Sequence, residues 1–218
     1  MIALIVADGD VPGRSTLERL LPPHGPDLVV AADGGALKAA ALGYMPDIVV
    51  GDADSLSAAD VDRLRESGAA VVIHPAAKNE SDTELALQEA IERGAQTMLV
   101  VGAFGGNRLE HTIANLLLLC LPALGDRDVR LADDASVVRL LVGGGTVTVE
   151  GDPGDFVSLL PLSPAAEGVT TLGLRFPLDD EPLHQGPARG LSNVLAATRA
   201  TIHARSGRLL VVHTRADR

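Results

Sequence analysis

Apolar residues in the first part of the chain gather in short, unbroken runs: Ile2 to Ala7, Leu28 to Ala32, Asp47 to Val50, Ala70 to His74, Thr97 to Gly102 and Val129 to Leu131. Runs without polar alternation suit strands covered on both faces. Between them, Ser15 to Leu21, Gly35 to Leu42, Ser57 to Ser67, Asp82 to Arg93 and Leu109 to Leu121 read as helices. Strand and helix in strict alternation predict the α/β class, with a doubly wound, mostly parallel sheet.

The pattern changes after Pro122 to Asp128. Short β-type runs follow, separated by Gly and Pro: Val137 to Val142, Thr146 to Glu150, Phe156 to Pro161, Gly168 to Thr171, Ala196 to Ala204 and Arg208 to His213. Turn signals at intervals of about 8–12 residues mark an antiparallel sandwich or barrel. Two domains are therefore expected: an α/β domain over residues 1–128 and an all-β sandwich over residues 129–218.

Composition narrows the chemistry. Apolar residues make up 46% of the 218, enough for a packed globule, and with three Phe, one Tyr and no Trp the core must be aliphatic. Acidic residues outnumber basic ones by 29 to 18, a net charge of -11. Such a surface repels a phosphate backbone, so nucleic acid is not an expected partner. If the substrate is a phosphate, a divalent cation must stand between the two sets of negative charge. The single cysteine, Cys120, excludes an intrachain disulfide and reads as a small buried hydrophobe. The start of the chain, Met1 to Asp10, lacks a basic segment and reads as a core strand, not a signal peptide. The apolar stretch Ile113 to Leu121 falls well short of the roughly 20 residues of a membrane span. The expectation is a cytoplasmic protein with no membrane association.

Four polar clusters fall at predicted strand ends, where open α/β sheets bind ligands. The first, Asp33-Gly34-Gly35-Ala36, is either a tight turn capped by Asp33 or a loop whose glycines let the backbone approach a phosphate. In the second, Gly51-Asp52-Ala53-Asp54-Ser55, extended backbone would put both carboxylates on one side. Like charges so placed repel unless a cation joins them, and hard oxygen ligands suit Mg²⁺; the other reading is an acidic turn before a helix. The third runs from His74 to Glu84, with Lys78 as a point charge for phosphate and Asp82 as a further metal ligand, or simply as a solvated, capping loop. The fourth, Gly102 to His111, carries Gly105, Gly106 and Arg108 into a helix on which Arg108, His111 and Asn115 share one face. A phosphate contact by the glycine loop and Arg108 is the favoured reading there; His111 alone fits a structural histidine equally well.

In this order and spacing, the clusters resemble the thiamine pyrophosphokinase family, whose motifs read approximately DGG(A), GDxDS, KDxTD and GGRxDH. Here they stand as Asp33-Gly34-Gly35-Ala36, Gly51-Asp52-Ala53-Asp54-Ser55, Lys78-Asn79-Glu80-Ser81-Asp82 and Gly105-Gly106-Asn107-Arg108-Leu109-Glu110-His111. The resemblance continues in Gly173-Leu174-Arg175-Phe176-Pro177-Leu178, similar to a GLKYPL segment, and in Gly190-Leu191-Ser192-Asn193, similar to GLSN. Each motif is weak singly; six in order cover nearly the whole chain.

The resemblance implies an ATP- and Mg²⁺-binding α/β catalytic domain and a thiamine-binding β-sandwich. By that resemblance, ATP would donate its terminal pyrophosphoryl group to the thiamine hydroxyl, releasing AMP. By resemblance, Asp52, Asp54 and Asp82 hold Mg²⁺, Lys78 and Arg108 offset negative charge, and Asp33, Gly34, Gly35, Gly105, Gly106, Arg108 and His111 meet ATP. Phe176 would stack on a thiamine ring, with Ser192 and Asn193 hydrogen-bonded to the pyrimidine. It further implies a homodimer with shared active sites. The chain departs from the motifs at Asn79 (for Asp), Ser81 (for Thr), the inserted Asn107, Glu110 (for Asp) and Val194 (for Glu). Two other readings accommodate these motifs: a pyrophosphokinase acting on a hydroxymethyl pterin, and a catalytically weakened homologue that binds nucleotide or thiamine.

Overall fold

Strand β1 (Ile2–Val6) lies between β2 (Leu28–Ala32) and β5 (Thr97–Val101), parallel to both. β3 (Ile48–Gly51) and β4 (Ala70–Ile73) extend the β2 side, and β6 (Asp128–Ala132) extends the β5 side. The order is thus β6-β5-β1-β2-β3-β4, parallel throughout. The computed structural model describes residues 1–52, 54–75 and 77–216; Ala53 of the Asp52 loop, Ala76 of the Lys78 loop, Asp217 and Arg218 lie outside the described residues.

Helices α1 (Arg14–Leu20), α2 (Gly35–Ala41), α3 (Ala58–Glu66), α4 (Asp82–Glu92) and α5 (Leu109–Leu118) form the crossovers. Leu4, Ile5, Val6 and Met98 are completely buried, as the unbroken apolar runs require. Local chemistry fixes the helix starts. Ser57 Oγ accepts from the Asp60 N–H while Asp60 Oδ2 accepts from the Ser57 N–H, a reciprocal cap on α3. The chain moves outward from β1 through β4 and then returns to β5 on the other side. The carboxyl ends of β1 and β5 therefore part at a topological switch point.

The chain divides into Met1–Asp134 and Ala135–Arg218. In the second unit, β7 (Ser136–Val142), β9 (Phe156–Pro161), β12 (Asn193–Val194) and β14 (Arg208–Thr214) pair antiparallel in the order β12-β9-β14-β7. β8 (Thr146–Glu150), β10 (Ala165–Leu172), β11 (Glu181–His184) and β13 (Arg199–His203) pair antiparallel as β11-β10-β13-β8. Leu141, Val157, Leu159 and Leu209 of the first sheet share one buried core with Val149, Val169, Leu183 and Ile202 of the second, the aliphatic sandwich expected.

Several details differ from the sequence reading. The division follows Asp134 instead of residue 128, because β6 pairs in parallel with β5 and carries its residues into the α/β sheet. Helix α5 stops at Leu118, and Pro122, which has no N–H to give, opens a 3₁₀ turn over Pro122–Leu124. β11 and β12 escape the pattern: the first contains Pro182, and the second is two residues long. Cys120 is half-buried, not fully buried. No described helix is long and apolar enough to cross a membrane.

Candidate active site

The loops after β1, β2, β3 and β5 emerge at the carboxyl edge of the parallel sheet. After β2, Asp33 takes a left-handed conformation (φ 45°) and donates its backbone N–H to the Val50 carbonyl at 2.8 Å. A Cβ on Gly51 would lie 3.0 Å from the Cβ of Asp33, so the close approach of the two loops needs glycine there. Asp33 is only 6% exposed. Its Oδ2 accepts from the Ser55 N–H at 3.3 Å, whereas its Oδ1 is buried with no hydrogen-bond partner among the described residues. Burial raises this carboxyl above the ordinary aspartate range; a hydrogen bond from Ser55 opposes the rise, the charges of Asp54 and Asp82 add to it, and the Gly34 N–H also opposes it.

Asp33, half-buried Asp52 and exposed Asp54 each present a carboxylate oxygen within 4.8 Å of the others. Oxygens on opposite sides of one Mg²⁺ stand about 4.2 Å apart at its usual bond length of about 2.1 Å. Three hard oxygen donors inside the 4.8 Å limit, one with an unsatisfied buried lone pair, suit a divalent cation. Locally, the Asp54 N–H donates to Asp52 Oδ1 at 3.2 Å and Ser55 Oγ donates to Asp54 Oδ1 at 3.1 Å. Asp82, expected to complete this set, stands outside the triplet. On the first turn of α4, its Oδ1 pairs with Lys78 Nζ at 2.7 Å. Ser81 caps that helix by accepting from the Glu84 N–H.

After β5, Gly105 and Gly106 are exposed in left-handed conformations (φ 76° and 74°). Arg108 donates through Nε to Glu110 Oε1 at 2.7 Å, which holds the Glu110 carboxyl below its ordinary range. Arg108 and His111 are exposed. Asn115, on the same helix, is buried and donates Nδ2 to the Ala103 carbonyl at 2.8 Å, so its partner is the root of the glycine loop. Gly34 and Gly35 are buried, and a Cβ on Gly35 would collide with the Val6 carbonyl.

Sequence reasoning overlooks the loop after β1. Lys38 of α2 pairs with Asp8 Oδ1 at 2.9 Å and donates to the Asp8 and Gly9 carbonyls, the latter at 2.8 Å. Across the switch point, the Gly9 N–H donates to the Gly102 carbonyl and the Asp10 N–H to that of Phe104, at 2.8 and 2.7 Å. The signal was available: Asp8-Gly9-Asp10 ends the first apolar run just as the other clusters end theirs.

In the second unit, Phe176 is 56% exposed, with the Arg175 guanidinium carbon 5.8 Å from its ring centroid. Asn193 Oδ1 accepts from the N–H groups of Phe176 and Val194, at 3.0 and 2.9 Å, and Asn193 Nδ2 donates to the Phe176 carbonyl at 2.6 Å. Its amide thus supports the Phe176 backbone. Ser192, exposed and left-handed (φ 57°), donates its N–H to Ser158 Oγ at 3.0 Å.

Two family models match in sequence order: the catalytic domain of thiamin pyrophosphokinase over residues 24–130 and its vitamin B1 binding domain over residues 146–209. The chain belongs to the thiamine pyrophosphokinase family. Among thiamine pyrophosphokinases, that of Bacillus subtilis (strain 168) is 25% identical over 187 residues, spanning 86% of this chain and 87% of its own. The crystal structure of thiamin pyrophosphokinase from Geobacillus thermodenitrificans superposes with a TM-score of 0.84 at 29% identity, covering 100% of this chain and 99% of that one. A thiamin pyrophosphokinase family protein from Enterococcus faecalis gives 0.85 at 28% identity, with both chains covered completely. The carboxylate triplet, Lys78, Asp82 and Arg108 fall within the catalytic-domain match of the thiamine pyrophosphokinase family. Phe176, Ser192 and Asn193 fall within the B1-binding match.

Proposed function

We propose that the protein transfers the pyrophosphoryl group of ATP to the hydroxyl of thiamine, giving thiamine diphosphate and AMP. The observation that carries this reading is the carboxylate triplet Asp33, Asp52 and Asp54 at the edge of the sheet, inside the catalytic-domain match.

In this reading the thiamine hydroxyl oxygen bonds to the β-phosphorus of ATP. The bond from that phosphorus to the oxygen it shares with the α-phosphate breaks, and AMP leaves with the electron pair. A carboxylate of the cluster accepts the hydroxyl proton. The acidic edge, with Asp52 and Asp54 at its centre, would hold Mg²⁺, which when bound supplies charge neutralisation between carboxylates and polyphosphate. Lys78 and Arg108 exchange their carboxylate partners for phosphate oxygens. Gly34, Gly35, Gly105 and Gly106 keep side chains out of the nucleotide's way, and His111 lies on the first turn beyond the glycine loop. Exposed Phe176 offers an aromatic face to the cationic thiamine. Positioning and charge carry most of the rate. A homodimeric, cytoplasmic enzyme completes the proposal, with residues up to 128–134 serving ATP and the following β sandwich serving thiamine.

The test is to incubate the purified protein with ATP, Mg²⁺ and thiamine and to follow AMP. Thiamine-dependent AMP is the expected result. AMP formed only with a hydroxymethyl pterin, or saturable thiamine binding without AMP, would overturn the proposal.

A further inference from the structure

We infer that Asp33 is the third carboxylate ligand of the divalent cation in the protein before nucleotide arrives, and that Asp82 is held out of that role by Lys78. This rests on the functional reading only for the purpose of the metal; the ligand set is argued from the residues themselves.

Asp33 is more than nine-tenths buried, yet Oδ1 has no hydrogen-bond partner among the described residues. Leaving such a group unsatisfied costs on the order of 1–3 kcal/mol, more for a charge. Where a native fold keeps such a group, a water or an ion completes it. Ser55 occupies Oδ2, which leaves Oδ1 for coordination. Carboxylate oxygens of Asp52 and Asp54 lie within 4.8 Å, so the orphaned oxygen belongs to a residue already grouped with two further hard donors. Gly51 keeps the space between the two loops small.

Asp82 has the opposite circumstances. Its Oδ1 meets the ammonium of Lys78, whose side chain is only 13% exposed. Recruiting Asp82 to the cation would strip a largely buried lysine of its partner, which is unfavourable until a phosphate replaces it. Asp33 requires no such exchange.

The experiment is a Mn²⁺ titration followed by electron paramagnetic resonance, without nucleotide or thiamine, on the wild-type chain, Asp33→Asn and Asp82→Asn. Mn²⁺ stands in for Mg²⁺ as a hard, oxygen-seeking probe. Expected are at least tenfold weaker binding for Asp33→Asn and less than threefold for Asp82→Asn. The reverse order, or no Mn²⁺ binding by the wild type, overturns the inference. Because Asp33→Asn could perturb the β2 loop, Mn²⁺ broadening of amide resonances in the wild type gives a mutation-free reading. The Asp33 and Gly34 amides should broaden at lower Mn²⁺ than those of Asp82 and Thr83; the opposite order again overturns it. AMP is not read here, so failure of the metal assignment and failure of the proposed reaction are separate results.

Discussion

Asn193 holds the peptide groups on both sides of Phe176: the Phe176 N–H donates to Asn193 Oδ1 at 3.0 Å, and Asn193 Nδ2 donates to the Phe176 carbonyl at 2.6 Å. The amide imitates one rung of a β ladder across a stretch where Phe176 itself is exposed. Asn193→Ala should raise the KM for thiamine by about tenfold, the fold-change matching about 1.4 kcal/mol of positioning, with a smaller effect on kcat. On a Phe176→Ala background the same change should add little, since the two act as one unit. Fully additive losses in this double-mutant cycle would mean that Asn193 touches thiamine independently.

Asp54 is exposed, and its hydrogen bonds are to its immediate neighbours. Asp54→Asn should therefore leave thermal unfolding within a degree or two of wild type. Turnover should drop by about 10²-fold or more, as expected when a charge-stabilising group is lost from a reacting centre. Steady-state AMP production beside a melting curve checks both halves; undiminished activity would remove Asp54 from the site.

Gly51→Ala places a methyl group 3.0 Å from the Cβ of Asp33, at a backbone angle (φ 151°) that side chains rarely adopt. A loss of about 1–3 kcal/mol in urea unfolding is expected, together with weaker Mn²⁺ binding because Asp33 is pushed aside. If both quantities match wild type, the two loops have more freedom than their spacing indicates.

Acid should loosen the β sandwich through Asp155. This buried carboxylate accepts from the Ala216 and Asp152 N–H groups and lies 3.0 Å from His213 Nε2. Burial pushes its pKa upward, but these partners outweigh burial and hold it below the ordinary range. A depressed carboxylate contributes fully above its unfolded value of about 3.9, and that contribution fades as pH falls through the lower folded value. Asp155→Asn should cost about 1–3 kcal/mol near neutrality and flatten the loss of stability as pH falls below about 4. Denaturant melts across that range measure it; an unchanged acid limb would assign the transition elsewhere.

The parallel sheet was readable because its strands are apolar at every position, a signal independent of their partners. Asp52 and Asp54 were readable for a related reason, since their spacing in one loop states their proximity. In sequence, Asp33 reads as the cap of a tight turn or, by resemblance, as a nucleotide contact. Its membership in the carboxylate triplet depends on β2 and β3 being neighbours and on Gly51 letting their loops touch, and neither fact is local. Asp82 is set in the sequence beside Lys78, and their ion pair, four positions apart where the loop enters α4, is a contact that the motif alone does not state. Asn193 enters the sequence reading only through resemblance, as a hydrogen-bond partner for the pyrimidine. Its engagement with Phe176 arises from a fold-back that brings residues 17 positions apart together. β12 was missed because two residues carry no periodicity.

Lys38 with Asp8, Lys78 with Asp82 and Arg108 with Glu110 share one arrangement: each cation at the acidic edge already has an anion in hand. On the proposed function, a phosphate meeting Lys38, Lys78 or Arg108 would gain its contact by trading places with a carboxylate. The threshold for entry is thereby set by how many carboxylates the newcomer can displace at once. On the same proposal, a polyphosphate that brings its own counter-charge would meet that requirement more readily than a solitary orthophosphate, which must break an ion pair for each one it makes.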